Sequence, residues 1–172
     1  MIDKEKALKE SVLFSEFDDS EIKKIASCSE KKLIKMNKYV VKEGETSSQI
    51  IILIRGTARV TLQLQGYEML LSTLQPYAII GEITFVDNQE ISADVIADEP
   101  CLILLLQHTD LMKFMKASES FAAKFWHGSA KLLAQRIRKS NEMMRSYFGI
   151  NKALCDNPEF RKFFSTCYYS PR

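Results

Sequence analysis

The sequence predicts a mainly β protein with flanking helices, in which a small barrel, roll or sandwich of strands precedes one long C-terminal helix. Short apolar or alternating runs recur at near-regular spacing from about residue 32 to 106, with glycine and proline between them. On either side of that region the apolar residues return to a helical spacing. The 172 residues, 46% of them hydrophobic, can bury a core without disulfides or metal.

Short runs of the roll region are typical of strands. We predict strands at residues 33–34, 39–41, 49–54, 58–64, 69–74, 94–97 and 102–106. Before them, Asp18, Asp19 and Ser20 are favourable N-cap residue types for a helix whose Ile22, Ile25 and Ala26 share one face. We divide the chain into N-terminal helices (1–30), β-roll (31–107), hinge and long dimerisation helix (108–149) and short C-terminal tail (150–172).

The long helix carries the most regular pattern in the chain, and we expect it to end at Gly149. Seven residues step alternately by four and three positions: Trp126, Ala130, Leu133, Ile137, Ser140, Met144 and Tyr147. This is the a/d seam of a coiled coil, and a helix of about 30 residues, about 45 Å long, exceeds what such a domain needs for its own packing. We therefore expect a homodimer through the seam. An amphipathic helix on its own barrel and a basic helix at a membrane surface are the alternatives.

The charges are unevenly distributed along the chain. No Lys or Arg lies between Arg59 and Lys113, whereas eight acidic residues do, so an acidic middle separates two basic ends. None of the four cysteines forms a CxxC pair, which predicts reduced structural thiols in a cytoplasmic protein and no metal site. The strongly apolar runs are too short to span a membrane.

The sequence contains no motif of an enzyme. It has no GxSxG, no P-loop and no HExxH pattern. A metal-binding cupin uses several histidines on neighbouring strands, but the two histidines here, His108 and His127, lie outside the predicted strands. We expect both to be solvated or packed, and the protein to be non-catalytic.

Several fragments, in the right order and with the right gaps, carry a resemblance to a known family. They are residues 13–15 (LFS), 42–45 (KEGE), 49–53 (QIIIL), 55–60 (RGTARV), 74–83 (LQPYAIIGEI) and 92–97 (SADVIA). Together they resemble the cyclic-nucleotide-binding domain, specifically the effector domain of the catabolite-activator family of regulators. The resemblance implies a β-roll of the jelly-roll or double-stranded β-helix kind, with residues 79–97 as a cassette that holds the phosphate of cAMP or cGMP.

By this resemblance, Glu82 accepts a hydrogen bond from the ribose 2′-hydroxyl and the helix opening at Ile83 presents its N–H groups to the phosphate. Ser140 and Asn141 fall where relatives contact the base; alternatively, Ser140 is a polar residue that sets the register of the seam. The implied ligand-binding set is Gly81, Glu82, Ile83, Thr84, Ile91, Ser92, Ala93, Ser140 and Asn141.

The cassette departs from the family at the residue that neutralises the phosphate. Relatives use an Arg, whose planar fork matches two phosphate oxygens, but Ile91 stands at that position. Asp94 stands where relatives commonly have a hydroxyl or apolar residue, and Tyr77 replaces a usual glycine. Losing a charged hydrogen-bond partner costs about 1.5–3 kcal/mol, which weakens binding at least tenfold. Arg59 lies on an alternating strand and is predicted to point outward. We therefore do not expect it to replace the phosphate-binding Arg.

These residues indicate a regulatory or sensor module with a degenerate phosphate site and weak or absent binding of cAMP or cGMP. Two alternatives stay open: a functional cAMP or cGMP sensor with a non-standard anchor, and a ligand-free dimeric scaffold for protein interaction. No other cofactor or small-molecule ligand is identified.

Residues 150–172 are too few for a helix-turn-helix domain, so we do not expect this chain, interpreted as a stand-alone module, to bind DNA specifically by itself. The tail is rich in aromatic residues, which favours packing or binding of a protein partner. These residues are Phe160, Phe163, Phe164, Tyr168 and Tyr169.

Overall fold

A computed structural model describes residues 4–64, 66–159 and 161–162 of the chain. Within these residues eight strands form two four-stranded antiparallel sheets, in the orders β1-β8-β3-β6 and β2-β7-β4-β5. The strands are β1 (Glu30–Ile34), β2 (Tyr39–Val41), β3 (Gln49–Arg55), β4 (Ala58–Leu64), β5 (Tyr67–Leu74), β6 (Ile79–Ile80), β7 (Asp94–Ala97) and β8 (Cys101–Gln107). The predicted fold class, a β-roll with flanking helices, is confirmed.

Strand β3 explains how the roll is held together, because both of its faces are buried. Ile50 and Ile52 pack in a cluster that includes helix residues such as Phe14. Ile51 and Leu53 point the other way, into a cluster formed by strands of both sheets. A strand buried on both sides needs a continuous apolar run, which is what the sequence has here.

Two α-helices precede the strands in the sequence, one lies between two of the strands, and two follow them. They are α1 (Lys4–Glu10), α2 (Asp19–Cys28), α3 (Glu82–Asp87), α4 (His108–Ala117) and α5 (Glu119–Asp156), with a short 3₁₀ helix at Val12–Phe14. Of the three candidate N-cap residues, Asp18 caps α2: its carboxylate accepts from the backbone N–H groups of Ser20 and Glu21, and the Glu21 carboxylate accepts from the Asp18 N–H. The hydrogen bonds that the Asp18 carboxylate accepts, first from the Glu21 N–H and then from the Ser20 hydroxyl, lower the pKa of Asp18 to about 2.

A glycine lets the N-terminal segment pack tightly against α5. A Cβ on Gly128 would lie 2.2 Å from the carbonyl oxygen of Leu13. The same contact region holds the ring of Phe14, 6.1 Å from that of Phe125, and Glu16, whose carboxylate contacts both His127 and Lys131 of α5. The N-terminal segment is thereby fixed to the first half of α5 by packing and by ion pairs.

The chain divides into two units, Met1–Leu132 and Leu133–Arg172. The first contains the roll and helices α1 to α4 with the beginning of α5, and the second contains the rest of α5. The prediction that the long helix ends at Gly149 is wrong, since α5 continues to Asp156. A helix-ending glycine adopts a positive φ, which Gly149 does not. The aromatic tail residues 160, 163, 164, 168 and 169 lie outside the described residues.

Candidate functional site

The segment that begins at Gly81 turns sharply from β6 into α3. Gly81 has a φ of 87°, and a Cβ there would lie 2.7 Å from the carbonyl oxygen of Gln49, so only glycine fits. Its own carbonyl accepts the first helical hydrogen bond, from the N–H of Phe85 at 3.1 Å. Glu82, 3% exposed, and Thr84 are buried, whereas the side chain of Ile83 is exposed.

The segment after α3 is tied to the loop between β2 and β3. Asn88 ends the helix with a φ of 55°. Ile91, whose side chain is 7% exposed, donates its N–H to the carbonyl of Glu45 and accepts from the N–H of Gly44, both at 2.9 Å. Ser92 is exposed and Ala93 half-buried. Gly81 and Ile91 therefore both lie against the stretch 44–49.

Asp94 has a structural partner that the sequence did not indicate. Its Oδ1 atom accepts a hydrogen bond from the backbone N–H of Glu43 at 2.8 Å, and its side chain is buried. The carboxylate thus anchors the start of β7 to the end of the β2 region, 51 residues earlier in the chain. At this position the departure from the family pattern stabilises a turn.

Arg59 is engaged by two acidic residues. Its Nη1 atom lies 2.6 Å from Oδ1 of Asp98, and its Nε atom lies 3.0 Å from Oε1 of Glu68. The hydrogen bonds to Asp98 and then Glu68 raise the pKa of the guanidinium. Because Arg59 is the last basic residue before Lys113, the cassette region has no free cation supplied by this strand.

Two buried polar groups, one in β4 and one at the start of α4, were not predicted from the sequence. Among the described residues, the Oγ1 atom of Thr61 has no hydrogen-bond partner; the residue is 0% exposed and lies opposite Asp94 across strands β4 and β7. The Nε2 atom of His108 is also buried without a partner in that part of the chain. The sequence indicates the Thr61 hydroxyl only as a threonine within an apolar strand. Its position opposite Asp94 depends on the strand register, which the sequence does not show.

An aromatic cluster joins the cassette-like segment to the helices. The ring of Phe85 lies 4.7 Å from the His108 ring, 5.0 Å from that of Phe125 and 6.0 Å from that of Trp126. Burial lowers the pKa of His108, while a hydrogen bond to the backbone of Gln49 opposes this shift. His108 is packed and His127 is exposed beside Glu16, which confirms the expectation for both histidines.

The predicted seam is a line of mostly exposed side chains on α5. Trp126, Ile137, Met144 and Tyr147 are exposed apolar residues, Ala130 and Ser140 are exposed, and Leu133 is half-buried. Asn141 is exposed next to Ser140. Ser140 and Asn141 belong to the second unit, and their role at a base stays a prediction.

The described ranges show no sign of metal binding, of an activated thiol or of a membrane-spanning helix. Residues 4–64, 66–159 and 161–162 hold no group of His, Cys, Asp and Glu side chains arranged to bind a metal ion. Burial raises the pKa of the Cys28 and Cys101 thiols, which makes them less reactive. None of the helices in those ranges combines the length and the hydropathy that a membrane crossing requires.

Comparison with known proteins gives the class to which this fold and cassette belong. The model of the cyclic nucleotide-binding domain family matches residues 31–118, just over half of the chain. The chain therefore belongs to the cyclic nucleotide-binding domain family, as the sequence fragments indicated.

Relatives of known name share part of their length with it. The chain is 30% identical over 97 residues to cGMP-dependent protein kinase 2 of Homo sapiens, covering 54% of this chain and 13% of the kinase. It is 27% identical over 135 residues to the cyclic AMP receptor protein of Thermus thermophilus, covering 78% of this chain and 61% of the receptor. The chain thus spans less than two thirds of either relative.

A solved structure shows the same fold. It is a cyclic nucleotide-binding domain from Methylobacillus flagellatus, with a TM-score of 0.76 and 18% identity, and the likeness covers 83% of each chain.

Proposed function

We propose that this protein is a non-catalytic regulatory module whose phosphate site is degenerate, so that it binds cAMP and cGMP weakly or not at all. The observation that carries the proposal is Ile91, a buried aliphatic side chain where the family resemblance places the phosphate-binding Arg. Membership of the cyclic nucleotide-binding domain family supports a regulatory role, and the chemistry of this position supports the loss of affinity.

The physical reason is the charge of the ligand. A cyclic phosphodiester is an anion, and a partly buried anion needs a cation or several N–H donors. No Lys or Arg occurs from residue 60 to 112, and Arg59 is paired with Asp98 and Glu68. The loss of one charged hydrogen-bond partner corresponds to about 1.5–3 kcal/mol, or at least a tenfold weaker affinity.

Restoring the cation tests the proposal. We expect Ile91→Arg to gain binding of cAMP or cGMP by at least tenfold, because the guanidinium offers two parallel donors to the phosphate. Ile91→Gln is the control, since it adds a shorter polar side chain with N–H donors but no charge and should gain little. Equal affinity of the parent and both variants, with all three folded by circular dichroism, would remove Ile91 as the cause.

A second candidate is a cyclic-nucleotide sensor with a non-standard anchor. It is favoured by Gly81 and the buried Glu82, which keep the Gly-Glu pair that the resemblance assigns to the ribose. If the parent protein binds cAMP, Glu82→Gln should weaken that binding while leaving the melting temperature of the ligand-free protein largely unchanged. Binding that ignores this change would point to a ligand held elsewhere.

The module is proposed to act as a homodimer through the seam of α5. The exposed apolar residues Ile137, Met144 and Tyr147 support this, because a partner helix would bury them. We expect Ile137→Asp to convert the dimer to a monomer in light scattering after size exclusion. Gln135→Asp, exposed and off the seam, carries the same added charge and should leave the dimer intact. A monomeric parent protein would end this part of the proposal.

A further inference from the structure

The segment that joins β1 to β2 has an unusual repeat. Residues 31–42 contain five lysines and no acidic residue. Within them a lysine is followed by an apolar residue every three positions, and we call these six residues the basic turn patch: Lys32–Leu33, Lys35–Met36 and Lys38–Tyr39. All six are exposed. The period of three is that of neither a helix nor a strand, so the fold does not account for the repeat.

A tight turn brings the middle of the basic turn patch together. The N–H of Lys38 donates to the carbonyl of Lys35 at 3.1 Å, and Asn37 adopts a φ of 59°. Such a turn places its first and fourth Cα atoms within about 7 Å of each other, which brings Lys35 and Lys38 close together in space on either side of Met36 and Asn37 in the sequence. The Asn37 N–H donates to the carbonyl of Ala97 at 2.7 Å, which fixes the turn to the end of β7.

The apolar members of the patch are open to solvent. Leu33 is 65%, Met36 55% and Tyr39 44% exposed. Met36 lies at the tip of the turn and the other two lie on the strands beside it. Three large exposed apolar side chains therefore lie within seven consecutive residues. The Nζ atom of Lys42 lies 4.8 Å from the centre of the Tyr39 ring, which adds a further positive charge beside them.

The positive charges of the basic turn patch are not neutralised by ion pairs within the described residues. In the described ranges no carboxylate forms an ion pair with Lys32, Lys35 or Lys38. The acidic residues next to Ala97 are occupied, since Asp98 binds Arg59 and Glu99 accepts a hydrogen bond from Thr57. The patch therefore presents uncompensated positive charge together with apolar side chains.

Protection of a sheet edge explains only part of this surface. Strand β1 is the edge of its sheet, and lysines on an edge prevent pairing with other chains. Met36 at the turn is outside the strands, and exposed Leu33 and Tyr39 would weaken such protection. We propose that the basic turn patch binds an anionic lipid surface peripherally: its lysines contact the headgroups and its apolar side chains enter the interface. Lysine stems and amphipathic rings are suited to that boundary.

Vesicle co-sedimentation of the full chain tests this. We expect binding to vesicles of phosphatidylcholine with phosphatidylserine, and little binding to phosphatidylcholine alone. Each lysine near an anionic surface contributes about fivefold in affinity, so Lys32→Gln, Lys35→Gln and Lys38→Gln together should weaken binding about 100-fold. The control triple Lys116→Gln, Lys139→Gln and Lys152→Gln removes the same charge from exposed positions of α4 and α5 and should bind as the parent does.

Four results would overturn the proposal. The first is no binding of the parent protein to anionic vesicles, and the second is loss of binding in the control triple instead, which would assign it to the helices. The third is parent-like binding by Met36→Gln, because the apolar side chains would then not enter the interface. The fourth is patch-dependent binding to soluble polyglutamate without vesicle binding, which would identify an acidic protein as the partner.

Discussion

The Nη1 atom of Arg59 in β4 lies 2.6 Å from Oδ1 of Asp98, the residue that directly follows the neighbouring strand β7. This ion pair directs the guanidinium toward acidic side chains of the roll, and Glu68 holds its Nε atom as well. The last basic residue before the cassette in the sequence is therefore committed to a structural role. A phosphate bound beside Ile91 would have to compete with two carboxylates for this guanidinium.

Arg59→Ala tests that role. We expect no change in the response to cAMP or cGMP, and a loss of stability of about 1 kcal/mol or less, because the pair is partly exposed to solvent. Arg55→Ala, an exposed position at the end of β3, is the control and should leave stability unchanged. The measurements are calorimetric titration and urea denaturation. Nucleotide binding by the parent that disappears in Arg59→Ala would show that Arg59 is the missing anchor.

Asp94→Ala is expected to destabilise the roll. It removes the acceptor of the Glu43 N–H at a buried position, which costs about 1–3 kcal/mol. Asp94→Asn retains an acceptor oxygen and should lose less. Urea denaturation of the three proteins measures the difference. Equal stability of the parent and the alanine variant would show that the hydrogen bond contributes nothing.

Gly128→Ala should disrupt the packing of the N-terminal segment on α5. Its new Cβ would lie 2.2 Å from the Leu13 carbonyl oxygen, a clash with backbone that requires the segment to shift, and we expect a loss of about 1–3 kcal/mol. Gly149→Ala is the matched control in the same helix, with no atom within 4 Å of its Cβ. There helix propensity alone acts, which favours Ala by about 1 kcal/mol. Thermal unfolding should therefore move in opposite directions for the two variants, and the same sign for both would contradict the contact.

The stability of the fold should depend on pH through His108. Burial lowers the pKa of His108 below its ordinary 6.5 in the folded state. The unfolded chain then binds the proton first as the pH falls, so stability is full above about pH 6.5 and decreases below it, down to the folded pKa. The pKa values of Asp18 and Glu16 lie below this window, since hydrogen bonds lower both.

Urea denaturation between pH 5.5 and 7 checks this dependence. His108→Gln should remove most of the slope, whereas His127→Gln, at an exposed site, should retain it because His108 is still present. An unchanged slope in His108→Gln would refute the assignment.

The strands of the roll were predictable because their patterns are local. Alternating residues mark a sheet with one buried face, and the continuous run of β3 marks a strand buried on both faces. Strand β6 was missed because Ile79 and Ile80 alone have no period to detect. The end of α5 was missed because glycine inside a helix costs only about 1 kcal/mol, so Gly149 did not have to stop it.

The candidate site was only partly predictable. The short helix that follows the Gly81-Glu82 pair was predictable from the fragments of sequence that resemble the family, whereas the burial of Ile91 was not predicted. The partners of Asp94 and Arg59 join residues 51 and 39 positions apart, and no local pattern encodes such pairs. The same holds for the contact of His108 with Phe85, which depends on how α3 and α4 pack.

The most direct test of the central claim is a calorimetric titration of the parent protein with cAMP and with cGMP. The account predicts no measurable heat of binding, or binding at least tenfold weaker than that of Ile91→Arg under the same conditions. Micromolar or tighter binding of either nucleotide by the parent protein would contradict it, and would mean that Ile91 has been bypassed by another anchor.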